Sequence, residues 1–392
     1  MADKLPSIES SLPQHKDLFI NGAWHKPGSN EYRDTYNPGN GQVITQVSHA
    51  GAKDAETAIE AADEAFQTWK TTTGTQRATL LRKAATVLRD HAAELALLDA
   101  LNTGNPVKEM LADANVAAAN LDYFAGLTPM IKGETIPQAE DYFHYTLREP
   151  LGVVARIVAF NHPVMFAAGK MAAPLAAGNT VIIKPPEQAP LSCLRLAELL
   201  GGVFPKGVLN IVPGGAECGK VLSSHRLVRK VTLIGSVPTG KAIARSAADT
   251  LKGTLFELGG KNALIAFPDA DIDKLVVGIA RGMNFTWAGQ SCGSTSRVFL
   301  HESIHDAVLE KVVQYVKSNF RPGVPTDMAT TAGPVISKAA EDRVLGYIES
   351  GKKEGARLVC GGGKPSSPPE IQGGYFVSQR RPQLTEAPCY TH

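Results

Sequence analysis

The sequence predicts an α/β fold built around a mostly parallel sheet, and three observations carry that prediction. Short apolar strands alternate with helices from residue 152 onward, which is typical of crossover units. Glycine is abundant, with 37 residues, as in α/β proteins with many tight turns between strands and helices. The 392 residues also exceed what one hydrophobic core usually supports, so two or three domains are expected.

Helices and one hairpin are predicted in the first part of the chain. The pair Asn21-Gly22 between apolar flanks predicts a tight hairpin over residues 19–24. Apolar residues recur with helical spacing in three later segments, and Thr103-Gly104-Asn105-Pro106 ends the second of them. The predicted helices cover residues 53–69, 76–102 and 111–124.

A different pattern marks residues 142–149. Phe143, Tyr145 and Leu147 alternate with their neighbours at a period of two, which predicts a strand and, with the preceding turn, a two-stranded ribbon. An isolated ribbon is only marginally stable, so we expect this one to pack against a partner subunit. An ordinary edge hairpin on its own domain is the alternative.

Strands and helices alternate regularly between residues 152 and 258. Ligands of parallel sheets bind beyond the carboxyl ends of the strands, so the polar or glycine-rich stretches that follow predicted strands are candidate binding segments. These are Asn161-His162-Pro163, Lys184 to Glu187, Pro213-Gly214-Gly215 and Gly235-Ser236. The predicted strands cover residues 153–160, 180–184, 208–212, 230–234 and 255–258, and the helices 164–176, 191–200, 217–223 and 239–248.

A second α/β stretch begins near Gly260. Its predicted strands cover residues 262–267 and 296–300, and its helices 275–285, 305–320 and 341–351. Residues 378–392 show no periodicity, and we expect them to be unstructured.

Composition excludes several classes of function. A formal charge of +2 predicts no nucleic-acid and no membrane partner. The five cysteines are odd in number and form no C-x-x-C pair, so neither a metal site nor a disulfide framework is expected. Because a reducing compartment fits free cysteines and no signal peptide is recognisable, we expect a cytoplasmic protein.

One cysteine lies in an unusual segment. Cys292 stands in Gly289-Gln290-Ser291-Cys292-Gly293-Ser294, where no bulky neighbour shields it and loop amides can lower the pKa of a thiol. That setting suits a nucleophile. The alternative is that Cys292 is a small buried hydrophobic residue, the usual fate of a free cysteine.

Other candidate residues lie at predicted strand ends. The amides of the turn from Gly235 to Gly240 could hold a pyrophosphate, and Lys184 with Glu187 could bind ribose hydroxyls. The alternatives are plain turn geometry and a solvated turn. Glu257, at the end of an apolar strand, is expected to have a raised pKa suited to a general base, or else to pair structurally with a lysine. The amide of Asn161 could stabilise an oxyanion.

Taken together, these segments resemble one family. The chain is similar to the NAD(P)-dependent aldehyde dehydrogenases over residues 19–377, with five motifs in the family's order. The motifs are Phe160-Asn161-His162-Pro163, Asn179 to Pro190, Gly235-Ser236 with Gly240, Glu257-Leu258-Gly259-Gly260-Lys261, and Gly289-Gln290-Ser291-Cys292.

The resemblance implies roles for individual residues. Cys292 would attack the aldehyde carbon, and the Asn161 amide with the Cys292 backbone N–H would hold the oxyanion. After hydride transfer leaves a thioester on Cys292, Glu257 would activate the water that hydrolyses it. Lys170 matches a lysine that the family keeps near the site, and we expect a supporting role for it.

The resemblance also implies a cofactor and a domain plan. NAD would be bound through Lys184, Glu187, Gly235, Ser236, Gly240 and Leu258, and the carboxylate of Glu187 disfavours the 2′-phosphate of NADP. A Rossmann-like NAD-binding domain would cover residues 1–126 and 151–259, an oligomerisation arm 127–150, and an α/β catalytic domain 260–377. The family resemblance implies a homo-oligomer.

Two departures from the family pattern lead to further expectations. Gly169, where many members have a bulky aromatic residue, suggests with Gly293 a roomy pocket for an aromatic or branched aldehyde. The family's C-terminal part has no counterpart in residues 378–392, so we expect an incomplete catalytic domain with exposed sheet edges and apolar surface. The alternative functions are a homologue that binds NAD or a partner subunit without turnover, and a thiol redox sensor.

Overall fold

The computed structural model describes residues 5–138, 140–365, 368–378 and 385–386, and its α/β architecture agrees with the predicted class. The chain divides into two compact units. The first comprises Met1–Asp34, Gln46–Leu98 and Leu111–Glu257, and the second Thr35–Thr45, Asp99–Met110 and Leu258–His392.

The helices and strands follow one another along the whole described chain. The strands are β1 Leu18–Ile20, β2 Ala23–His25, β3 Tyr32–Tyr36, β4 Val43–Ser48, β5 Thr135–Ile136, β6 His144–Tyr145, β7 Val153–Ile157, β8 Thr180–Lys184, β9 Leu209–Ile211, β10 Val228–Gly235, β11 Gly253–Leu258, β12 Ala263–Ala266, β13 Arg297–Leu300, β14 Arg357–Leu358 and β15 Thr385–Glu386. The α-helices are α1 Ile8–Ser11, α2 Ala52–Trp69, α3 Gly74–Asp90, α4 Ala92–Thr103, α5 Val107–Leu127, α6 Pro163–Ala176, α7 Leu191–Leu200, α8 Ala216–Ser224, α9 Val237–Ala248, α10 Ile272–Gly282, α11 Glu302–Asn319 and α12 Lys338–Lys353.

A seven-stranded mixed sheet organises the first unit, in the order β11-β10-β7-β8-β9-β1-β2. Strands β10, β7, β8 and β9 are parallel neighbours, as their alternation with helices predicts. The residues of β7 and β8 are all buried, which explains their continuous apolar runs. Helix α6 packs against α3, α7 and β8, and Met171 and Leu175 lie in this core.

The predicted hairpin is present at the edge of this sheet. β1 and β2 pair antiparallel across Asn21 and Gly22, whose positive φ angles of 52° and 72° explain the Asn-Gly sequence. β1 also pairs with β9 through Phe19 and Ile211, and the backbone N–H of Asn21 donates to the Asn210 side chain at 2.9 Å. The hairpin therefore depends on residues far along the chain.

Most predicted elements are present with shifted limits, and two differ more strongly. The helix expected over residues 76–102 is two helices, α3 and α4, because His91 adopts φ −110° and ψ 16° between them. The strand expected over residues 142–149 is shortened to β6, which pairs with β5. Phe143 and Leu147 are exposed, so no buried core among the described residues extends the pairing of the ribbon.

The second unit contains the parallel pair β12 and β13, flanked on one side by α10 and α11. Val276, Ile279, Val308 and Val312 form the core beneath the pair. The other face carries Ile265 and Phe299, which are register partners and are 66% and 43% exposed. The apolar surface expected in this part of the chain is therefore present.

The end of the chain corrects one expectation in part. Thr385–Glu386 forms β15, antiparallel to β14, although we expected residues 378–392 to be unstructured. Residues 379–384 and 387–392 lie outside the described residues. Among the helices that the structure describes, none is long and apolar enough to cross a membrane.

Candidate active site

The carboxyl ends of three neighbouring strands meet at one edge of the sheet in the first unit. β7 lies between β8 and β10, and its last residue, Ile157, is the register partner of both Lys184 and Leu233. Asn161, Lys184 and Gly235 therefore come to the same sheet edge, as parallel strands followed by polar or glycine-rich turns predict.

Asn161 occupies the turn between β7 and α6. It is 9% exposed, and Pro163 begins the helix at the position where a missing N–H costs nothing. His162 is the N-cap residue, with φ −146° and ψ 64°, and its carbonyl accepts a hydrogen bond from the Phe166 N–H at 3.0 Å. The start of α6 thus fixes the backbone immediately after the asparagine.

A buried polar pair connects this turn to α5. His162 Nδ1 donates to Asp113 Oδ2 at 2.6 Å, and the two side chains are 8% and 10% exposed. Buried polar groups are costly without a hydrogen-bond partner, so each of these side chains needs the other. The pair therefore fixes the position of the turn relative to α5.

Arg156 supplies a second buried contact to the first turn of α6. Its Nε donates to the Phe166 carbonyl at 3.1 Å, and its Nη1 donates to Thr232 Oγ1 at 2.9 Å. Burial lowers the pKa of Arg156 to about 10. The guanidinium therefore links β7, β10 and α6.

Lys184 is the last residue of β8, and Glu187 follows the strand and lies beside Gly215, the N-cap residue of α8. Lys184 is 8% exposed and donates to the Pro185 carbonyl at 3.3 Å. Burial lowers its pKa below the usual value, while the neighbouring Cys218 and Glu187 act in the opposite direction. Glu187 is exposed, and a Cβ on Gly215 would lie only 2.4 Å from its Oε1. The structure thus gathers a lysine, a carboxylate and a glycine-bounded helix start.

Gly235, Ser236 and Gly240 lie at the start of α9. Ser236 is the N-cap residue, and its Oγ accepts a hydrogen bond from the Thr239 N–H at 3.3 Å. Ser236 is exposed while Gly240 is buried, so the helix start faces solvent and the second glycine packs inward. Exposed amides at a helix N-terminus favour a negatively charged group.

Gly169 and Lys170 lie at the end of the second turn of α6. Lys170 is exposed. A Cβ on Gly169 would lie 3.0 Å from Asn120 Nδ2 and 3.3 Å from the Ala117 Cα, both on α5. The expectation of a roomy pocket at Gly169 is therefore wrong: the glycine lets two helices approach closely, and α5 fills the space.

Glu257 is the last residue of the first unit, in β11. We expected an apolar environment, but the side chain is exposed because both faces of β11 are largely uncovered. Leu258, with which the second unit begins, is half-buried. A Cβ on Gly259 would meet no atom within 4 Å, and one on Gly260 would lie 3.3 Å from Asn262 Oδ1.

The segment around Cys292 has an unusual backbone. A short 3₁₀-helix, Phe285–Trp287, follows α10, and Ala288 and Gly289 both adopt positive φ, at 53° and 73°. Left-handed backbone costs an alanine about 1–2 kcal/mol, so the surrounding contacts must stabilise this path. The chain reverses here and presents Cys292, which is half-buried.

Side-chain hydrogen bonds hold this segment in place. Asn262 Nδ2 donates to the carbonyl of Cys292 at 2.7 Å and to that of Ser294 at 3.2 Å. Gln290 Oε1 accepts from the Ile336 N–H at 3.0 Å, and its Nε2 donates to the Trp287 carbonyl at 3.2 Å. The backbone on both sides of the cysteine is thereby fixed within the second unit.

The other described cysteines differ from Cys292. Cys193, Cys218 and Cys360 are buried, and burial raises the pKa of Cys218 to about 12 and that of Cys360 to about 11. A thiol with such a pKa is almost entirely protonated near neutral pH and is a poor nucleophile. Among the cysteines that the structure describes, Cys292 alone is partly exposed.

The predicted site residues are divided between the two units. Asn161, Lys170, Lys184, Glu187, Gly235, Ser236, Gly240 and Glu257 lie in the first, and Leu258 and Cys292 in the second. Sequence reasoning missed Asp113, Arg156 and Asn262 as residues that hold the site segments. Arg156 alone had a visible signal, because it is a charged residue within an apolar strand.

Comparisons with known proteins identify relatives over nearly the whole chain. A family profile, the aldehyde dehydrogenase family, matches residues 24–379. Aldehyde dehydrogenase tropH of Talaromyces stipitatus is 62% identical over 382 residues, covering 96% of this chain and 74% of the relative.

Solved structures give the same result. The crystal structure of PnpE in complex with nicotinamide adenine dinucleotide superposes with a TM-score of 0.91 at 39% identity, over 95% of this chain and 76% of that chain. Another crystal structure of PnpE is that of the protein from Pseudomonas sp. WBC-3. The NAD+ complex of an aldehyde dehydrogenase from Bacillus cereus superposes with a TM-score of 0.90 at 38% identity, over 96% and 76%.

Proposed function

Since the chain belongs to the aldehyde dehydrogenase family, we propose that it oxidises an aldehyde to the carboxylic acid with NAD+, through a covalent intermediate on Cys292. The observation that carries this proposal is the Cys292 segment. It combines a half-buried thiol with a backbone that side-chain hydrogen bonds hold on both sides. A nucleophile needs access and a fixed direction of attack.

In the proposed reaction, the Cys292 thiolate attacks the aldehyde carbon and forms a tetrahedral thiohemiacetal. The side-chain amide of Asn161 and the backbone N–H of Cys292 donate to its oxyanion. Asn161 supports this role because its backbone is fixed by the start of α6. Loss of hydride then converts the thiohemiacetal into a thioester.

Hydrolysis of the thioester completes the proposed cycle. Glu257 removes a proton from water, the resulting hydroxide attacks the thioester carbonyl, and the Cys292 thiolate leaves. The exposure of Glu257 is compatible with a base that receives its proton from solvent water. We assign Lys170 a supporting electrostatic role.

The residues at the sheet edge fit an adenine dinucleotide. Glu187 is exposed, and the absence of a side chain on Gly215 lets its carboxylate lie against the start of α8, where it would accept from ribose hydroxyls; Lys184 lies beside it. The exposed start of α9 at Gly235 and Ser236, packed through Gly240, suits the pyrophosphate, and Leu258 would flank the cofactor. When bound, NAD+ supplies the hydride acceptor.

We propose NAD rather than NADP because the Glu187 carboxylate would repel a 2′-phosphate. The proposed domains are NAD binding in residues 1–126 and 151–259, an oligomerisation arm in 127–150 and catalysis in 260–377. The exposed ribbon of β5 and β6 supports homo-oligomerisation. We propose a cytoplasmic location, because a nucleophilic Cys292 thiolate requires a reducing compartment.

The test follows the ultraviolet absorbance of NADH with NAD+ and a panel of aldehydes that includes acetaldehyde and benzaldehyde. We expect turnover by the wild-type chain and none by Cys292→Ser, while Cys360→Ser, a buried-thiol control, keeps activity. NAD+ binding without NADH formation from any aldehyde would instead show a binding protein without turnover and contradict the proposal.

A further inference from the structure

The His162–Asp113 pair lies next to the residue proposed to receive the oxyanion. Both side chains are at least nine-tenths buried, and the 2.6 Å bond joins α5 to the turn before α6 across 49 residues of sequence. An imidazole and a carboxylate placed in such a core cost free energy unless each satisfies the other. Apolar residues would pack the same space at lower cost, which points to a specific role.

The turn that holds Asn161 has little regular structure to define it. β7 ends at Ile157 and α6 begins at Pro163. As N-cap residue, His162 makes no side-chain hydrogen bond to the helix start; its ring is directed to Asp113 instead. Backbone hydrogen bonds hold the two ends of this turn, Val158 to Lys184 and His162 to Phe166, and the orientation of the residues between them depends on side-chain contacts.

Phe166 completes the arrangement around His162. Its ring lies edge-on to the imidazole, with centroids 5.3 Å apart, and its N–H donates to the His162 carbonyl. Its own carbonyl accepts from Arg156. His162 is thus held at its ring nitrogen, at its ring face and at its carbonyl, one peptide bond from Asn161.

We propose that His162, held by Asp113, is a positioning residue that orients the Asn161 amide toward the developing oxyanion. The inference rests on the proposed role of Asn161. Oxyanion donors act by being preorganised, and a displacement of about 1 Å can cost about a hundredfold in rate. Because His162 is held at three points, the backbone of Asn161 next to it is restricted, and so is the direction of the Asn161 side-chain amide.

The test separates acyl chemistry, which forms an oxyanion, from alkylation, which does not. In p-nitrophenyl acetate hydrolysis, the Cys292 thiolate attacks the ester carbonyl, p-nitrophenolate leaves, and water hydrolyses the acetyl thioester. Iodoacetamide alkylates the same thiolate by displacing iodide. Neither reaction needs hydride transfer, so both report on Cys292 apart from aldehyde oxidation.

We expect His162→Phe, which keeps a ring beside Phe166, to lower the acylation rate roughly ten- to a hundredfold and to leave alkylation within about twofold. His162→Asn, whose amide can replace Nδ1 as donor, should recover most of the rate. In an Asn161→Ala background, His162→Phe should have no further effect, because the residue on which it acts is gone. The acylation rate should fall in Asp113→Leu, as in His162→Phe, and should be largely kept in Asp113→Asn, as in His162→Asn.

Equal losses in acylation and alkylation would overturn the inference, as would an unchanged effect of His162→Phe in the Asn161→Ala background. If His162→Phe does not fold, Asp113→Leu takes its place with Asp113→Asn as the conservative variant: slower acylation at unchanged alkylation in Asp113→Leu alone supports the inference, and equal losses in both reactions overturn it. Asn161→Ala and Cys292→Ser separate the two levels: if neither slows acylation, the proposed function fails as well, and if both do while His162→Phe does not, only this inference fails.

Discussion

Asn262 donates its side-chain amide to the backbone carbonyl of Cys292 at 2.7 Å, and the same nitrogen reaches the Ser294 carbonyl at 3.2 Å. One side chain at the start of β12 thereby holds the backbone on both sides of Gly293. The hydrogen bond to the Cys292 carbonyl fixes the plane of the peptide between Cys292 and Gly293. Because the peptide is planar, this also fixes the Gly293 N–H and restricts the direction of the Cys292 side chain.

Asn262→Ala should therefore impair catalysis more than stability. We expect kcat for aldehyde oxidation to fall roughly ten- to a hundredfold as the Cys292 segment loses its orientation. Asn319→Ala is the matched control, because Asn319 also donates one amide bond to a carbonyl, that of Tyr315 at 2.8 Å, from an exposed position in the same unit. Comparable losses of kcat and of melting temperature in both variants would contradict the specific role of Asn262.

Thiol labelling should be strongly selective among the described cysteines. With iodoacetamide near neutral pH, peptide mapping should find Cys292 modified first, because burial raises the pKa of Cys218 to about 12 and of Cys360 to about 11. Since a raised pKa keeps a thiol protonated at lower pH, labelling of Cys360 should grow as the pH rises toward that value. Early modification of Cys218 or Cys360 at neutral pH would show that these thiols are accessible.

Gly215→Ala should weaken NAD+ binding while barely affecting folding. The new Cβ would lie 2.4 Å from Glu187 Oε1 and 2.9 Å from His49 Cε1 and Nε2, so the carboxylate and the imidazole must both shift, and both are ends of side chains that can rotate. The ribose would then lose its acceptor, so the Kd for NAD+, measured by calorimetry, should rise. Gly202→Ala, where no atom lies within 4 Å of the added Cβ, is the control and should bind NAD+ like wild type.

Glycines in two helices should respond in opposite directions to alanine. Gly126→Ala, with open space in α5, should stabilise the protein by about 0.5–1 kcal/mol through helix propensity. Gly169→Ala meets the α5 backbone, and overpacking of about 1–3 kcal/mol should offset or exceed that gain. Urea unfolding gives both values, and equal stabilisation would mean that α5 yields freely at Gly169.

The regular part of the first unit could be predicted from sequence because its elements are buried and bounded by turn residues. The predicted limits of β8 and α7 coincide with those observed, and each is a compact apolar segment flanked by proline or glycine. The same alternation predicted that Asn161, Lys184 and Gly235 share a sheet edge. Parallel strands leave little freedom in where their carboxyl ends lie.

Side-chain contacts between distant segments could not be predicted in this way. No local pattern connects Asp113 with His162 or Asn262 with Cys292, since each pair is formed by tertiary packing. The exposure of Glu257 and the filled space beside Gly169 were missed for a related reason. Both depend on which element covers a residue, and periodicity describes only the element to which the residue belongs.

The attachment of β1 to β9 has a consequence for synthesis on the ribosome. Asn21 and Asn210, joined by a hydrogen bond, are 189 residues apart in the chain. At roughly 5–20 residues per second, the N-terminal hairpin emerges about 10–40 s before its partner strand exists. During that interval Leu18, Phe19 and Ile20, which are buried in the finished protein, can pair with β2 but lack β9 on their other side. The nascent chain thus exposes an apolar strand for a period that the native structure does not reveal.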